Sequence, residues 1–81
     1  MQTIEQQATN TINRLKEVYT GDNSSFDFFV SQWVTGDTNK ALRQEIVRQI
    51  TGEKKPASKC GMYAVADVLK YSFQQYSLFT Q

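Results

Sequence analysis

Residue types that make or break bonds are scarce in this chain of 81 residues. Its one thiol is Cys60, beside Lys59 and at the edge of an apolar stretch. A neighbouring cation and a helix N-terminus each lower a thiol pKa, so a cysteine nucleophile would be sought here. Its usual base is missing, because the chain contains no histidine. That absence also removes Ser-His-Asp catalysis, histidine-based zinc sites and histidine pH switching. One cysteine supplies neither an intrachain disulfide nor a Cys-based zinc site. Cys60 therefore reads as a small buried packing residue. Asp22, Asp27 and Asp37 fall where turns and helix caps explain them. No Gly-rich phosphate loop, calcium loop or dinucleotide fingerprint occurs. The expectation is a non-enzymatic chain with no cofactor and no metal.

Two groups of residues remain that suit binding. The first is charge. Residues 1–39 carry two basic and five acidic side chains, a net −3, whereas residues 40–59 carry six basic and two acidic ones, a net +4. The basic set is Lys40, Arg43, Arg48, Lys54, Lys55 and Lys59. On a helix face and its following loop, these would contact phosphates, and a helix-turn-helix across Gly36 and Asp37 would present them to DNA. Glu45 and Glu53 interrupt the patch, and the whole chain is only +1. A nucleic-acid regulator is thus the alternative reading, not the first. For a protein partner, Lys54, Lys55 and Lys59 would steer encounter.

The second group is aromatic. Phe26, Phe29 and Trp33 share a core-facing stripe, and Phe28 lies off it. Tyr63, Tyr71, Tyr76 and Phe79 belong to the longest apolar segment. Tyrosine pairs apolar area with a hydroxyl that tolerates water, which suits interfaces. Phe28, Tyr63, Tyr71 and Phe79 are the candidate anchors for a protein partner.

These residues need a scaffold, and the hydrophobic spacing supplies one. Glycines 21, 36 and 52, with the segment 53–58, cut the chain into four pieces. The first predicts a helix over 3–19, opened by a capping box of Thr3 and Gln6 and closed by Gly21. Its apolar stripe is Ile4, Ala8, Ile12, Leu15 and Tyr19, widened by Val18. The second predicts a short helix capped by Ser24 or Ser25, with Phe26, Phe29, Val30, Trp33 and Val34 inward. The third opens at Asp37 or Thr38 and buries Leu42, Ile46 and Ile50, with Lys40, Arg43, Gln44, Arg48 and Gln49 outward. The fourth follows Pro56, takes Ser58 as its cap and runs to about residue 79. Met62, Val65, Leu69, Ser72, Tyr76 and Phe79 form a coiled-coil-like seam, and Ala64, Val68, Tyr71 and Leu78 a second stripe.

The fold expected is all-α: one domain over 1–81, a compact bundle of four helices with short Gly-containing turns. A chain of this size buries only roughly 60% of its unfolded surface. A fourth helix apolar on two faces then implies a homodimer through that helix. The longest apolar run, 62–66, is far below the roughly 20 residues of a spanning helix, and the polar N-terminus is no signal peptide. A soluble, cytoplasmic protein is expected.

In its length, its histidine-free helical layout, and the character of FDFFVSQW (26–33) and CGMYAVADVLKYSFQQY (60–76), the chain resembles the small cytoplasmic regulators of tailed phages. Among these it most resembles the RIII-type lysis-inhibition proteins of T-even phages, a family of cytoplasmic antiholins. The resemblance implies a non-enzymatic role in the host cytoplasm. The chain would bind the cytosolic part of a phage holin and delay the membrane lesion that ends infection; another anti-host inhibitor, acting on a host protein instead, is the alternative that this resemblance leaves open. It carries over no individual binding residue.

Overall fold

A computed structural model describes residues 2–19 and 23–80, with side chains at 2–19 and 24–75. Four helices follow in chain order: α1 (Ile4–Val18), α2 (Asn23–Trp33), α3 (Lys40–Thr51) and α4 (Met62–Thr80). Single 3-10 turns at Asp37–Asn39 and Ala57–Lys59 lead into α3 and α4. The all-α four-helix architecture is as the spacing predicts.

The start of α1 is the expected capping box. Gln6 N donates to Thr3 Oγ1 at 3.2 Å, and Thr3 N donates to Gln6 Oε1 at 3.1 Å. Two orphan N–H groups are thereby satisfied. The Gly21 stop lies outside the described residues. Helix α2 begins at Asn23, so Ser24 and Ser25 sit inside its first turn rather than ahead of it. The connection to α3 depends on Gly36, whose φ of 98° and ψ of 161° suit only glycine. Asp37 and Thr38 belong to the 3-10 turn, three and two residues ahead of α3 proper. Gly52 ends α3 in the left-handed conformation, φ 78°, and its N–H donates to Arg48 O at 2.8 Å. The expected cap at Ser58 is also displaced. It lies in the second 3-10 turn, and the α4 ladder opens with Val65 N donating to Gly61 O at 3.0 Å.

Each helix gives its stripe to one core. Ala8 and Leu15 come from α1, Phe26 and Val30 from α2, with Val34 just beyond its end. Leu42, Ile46 and Val47 come from α3, and Val65, Ala66, Leu69 and Phe73 from α4. The inward face of α4 therefore turns through Phe73, not the expected Ser72, which is half-buried. Cys60 is buried in the same core. The rings of Tyr19, Phe26 and Phe73 meet pairwise at 5.1, 5.6 and 5.8 Å between centroids, locking α1, α2 and α4 at one end. Helix α2 runs antiparallel to α4. Phe26 meets Phe73, Asp27 pairs with Lys70, and Thr35 Oγ1 donates to Met62 Sδ. The radius of gyration is 12.0 Å, about that of a compact chain of this length.

Candidate functional site

The outward face of α4 follows from its core register. With Val65, Leu69 and Phe73 inward, residues 63, 67, 71 and 74 fall on the opposite side of the helix. Tyr63 is 74% exposed and Tyr71 67% exposed. Eight residues apart, they stand about 12 Å apart along the helix axis, with Asp67 between them. On α2, the core positions 26, 30 and 34 put Phe28 on the outer side, 57% exposed. Its ring meets Phe29 edge-on at 5.9 Å. Three of the four anchor candidates are thus large aromatics on the surface. The side chain of Phe79 lies outside the described residues.

The two tyrosines share a helix face, and Phe28 stands on the neighbouring helix. Lys70 Nζ and Asp27 Oδ1, 2.8 Å apart, hold those helices together. Phe29 and Trp33 are half-buried, and Trp33 takes the Arg14 guanidinium over its ring at 4.5 Å. That cation on the ring closes the α1 side of α2.

Beside Tyr71 lies a groove that the sequence reading did not foresee. It encloses about 490 Å³ between the C-terminal turn of α3 and the middle of α4. Ile50 and Thr51 form one wall; Val68, Tyr71, Ser72 and Gln75 form the other. Among the described residues, Asp67 is the single charged one lining it. The second stripe of the fourth helix marks the apolar surface of its α4 wall, though not the gap beside it. Val68 and Ala64 are half-buried and remain partly accessible.

The basic segment does not form one surface. Arg43, expected on the outer face of α3, is buried at 8% exposure. Its Nη1 donates to Val34 O at 2.7 Å and Gly36 O at 2.8 Å, and its Nε donates to Cys60 O at 3.0 Å. The guanidinium is consumed by the two loops that flank α3. Its register shows why: 43, 46, 47 and 50 fall on one helical stripe. Arg48 pairs with the buried Glu45 through Nε, and that hydrogen bond and charge raise its pKa further. Lys40 lies 3.7 Å from Asp37. Lys54, Lys55 and Lys59 are exposed in the α3–α4 connection. Lys54 lines a different cleft, about 320 Å³, with Ile4, Ala41 and Arg48 between α1 and α3.

Among the described residues, no three His, Cys, Asp or Glu side chains are placed to hold a metal ion, and no helix is long and apolar enough to cross a membrane. The Cys60 sulfur lies 4.0 Å from Lys55 O and faces the core. No protein-family model, curated protein or solved structure matches this chain.

Proposed function

We infer that this chain is a non-enzymatic protein-binding module whose docking surface is the outer side of α4 with the adjoining face of α2. The observation that carries this reading is the exposure of Tyr63, Tyr71 and Phe28 on helices that each already bury a full apolar face. Rigid, exposed aromatics lose little entropy on binding and are the residue types that dominate interface energetics. Lys54, Lys55 and Lys59 set orientation and encounter rate. The resemblance to lysis-inhibition antiholins supports a specific partner, the cytosolic part of a phage holin, with delayed lysis as the outcome.

The test is a titration of the purified chain with a holin cytosolic segment, at low and high salt. Phe28→Ala, Tyr63→Ala and Tyr71→Ala should each weaken binding about tenfold or more, and salt should matter modestly. Binding to nucleic acid that falls steeply with salt, and disappears when Lys54, Lys55 and Lys59 are neutralised, would replace this reading with the nucleic-acid one.

A further inference from the structure

The groove beside Tyr71 has a chemical preference of its own. Its walls are mainly apolar, from Ile50, Val68 and the ring of Tyr71. Both of its electrostatic features are negative. Asp67 lines it, and among the described residues Asp67 has no ion-pair partner. Ile50 and Thr51, on the opposite wall, are the last two residues of α3. A helix C-terminus carries a partial negative charge from its unpaired carbonyls. An apolar trough with a carboxylate at one side and a helix C-terminus at the other favours an apolar segment that also bears a cation.

We propose that the α3–α4 groove binds an apolar peptide segment of a partner protein carrying a lysine or arginine, which pairs with Asp67. This rests on the docking reading above and extends it from Tyr71 on the outer side of α4 to the groove on the α3 side, with one partner chemistry. A second copy of this chain is the competing occupant, and the mass of the chain in solution distinguishes the two.

The experiment is selection of a displayed random peptide library on the full chain, on Asp67→Lys and on Ser72→Tyr. Wild type should enrich peptides in which Lys or Arg neighbours aliphatic or aromatic residues. Asp67→Lys should enrich acidic residues in that place, and the wild-type peptides should bind it about tenfold more weakly. Ser72→Tyr fills the groove and should abolish enrichment; Gln75→Trp serves the same end if that variant does not fold. The proposal is overturned if enriched peptides lack a cation, if Asp67→Lys leaves their affinity unchanged, or if no peptide is enriched. It is also overturned if the chain doubles its mass from 9.3 kDa in a way that Ser72→Tyr prevents, since the groove is then filled by a second copy. Partner binding that depends on Tyr63 and Phe28 but not on Asp67 or Ser72 would sink the groove assignment while leaving the docking reading standing.

Discussion

Arg43 Nε donates to the carbonyl oxygen of Cys60 at 3.0 Å, joining the first turn of α3 to the connection two residues ahead of α4. The same guanidinium reaches Val34 O and Gly36 O, so one side chain satisfies carbonyls on both loops that flank α3. Gly36 O also accepts from Asn39 N at 3.2 Å, but the buried carbonyls of Val34 and Cys60 depend on Arg43, and burying them unpaired is costly. Arginine suits the position because its rigid planar fork aims several donors at once, which an ammonium on a flexible stem does not.

Replacing this residue should therefore cost more than any other surface-derived basic residue in the chain. Arg43→Met is expected to lower stability by about 2–4 kcal/mol, because it strands the buried carbonyls of Val34 and Cys60. Arg43→Lys should recover only part of that loss. Urea denaturation with an unchanged slope checks both values. Arg43→Met within about 0.5 kcal/mol of wild type would show that water replaces the clamp.

Local signals in the sequence were legible where one residue acts on its near neighbours. The Thr3–Gln6 capping box, the Gly52 stop and the outward position of Phe28 all depend on spacing within a turn or two. What was not legible depends on tertiary placement. Arg43 reads as a surface cation by residue type, and only the arrival of two loops at its helix face makes it a buried clamp. The partnership of Asp27 with Lys70 needs the antiparallel register of α2 and α4, which no local pattern encodes. The groove at Ile50 and Val68 exists because the C-terminal turn of α3 stands off from α4, and spacing along one helix does not report a gap between two.

Gly36 and Gly52, both at positive φ, should respond unequally to alanine. Neither added Cβ would meet an atom within 4 Å, so the cost is backbone conformation alone. Gly52 occupies the left-handed helical region, where alanine costs roughly 1 kcal/mol. Gly36, at φ 98° and ψ 161°, lies where only glycine is comfortable, and Gly36→Ala should cost about 2–3 kcal/mol. Paired denaturation curves would rank them; equal losses would mean that the α2–α3 loop relaxes into another conformation.

The Asp27–Lys70 pair should be asymmetric under mutation. The Lys70 side chain is only 15% exposed, whereas that of Asp27 is 44% exposed. Asp27→Ala leaves a largely buried ammonium without its partner and should cost about 1–2 kcal/mol. Lys70→Met keeps the apolar stem but leaves the buried Oδ1 of Asp27 without its cation, while the rest of that side chain stays open to water, so it should cost less, about 0.5–1 kcal/mol. Thermal melts of both variants decide the point, and the opposite order would contradict this account of the pair.

The exposed aromatics should be nearly silent in folding and prominent in binding. Phe28→Ala, Tyr63→Ala and Tyr71→Ala remove side chains that lie mostly in solvent, and each should change stability by less than about 0.5–1 kcal/mol. Phe26→Ala, by contrast, empties a site that is 1% exposed and dissolves the ring cluster with Tyr19 and Phe73. Its cost should reach about 3–5 kcal/mol, from lost transfer energy together with the cavity left behind. Such a gap between residues of similar size separates maintenance of the fold from maintenance of the surface. If Tyr63→Ala or Tyr71→Ala destabilised the chain as much as Phe26→Ala does, those tyrosines would belong to the core and the docking surface proposed on α4 would lose its anchors.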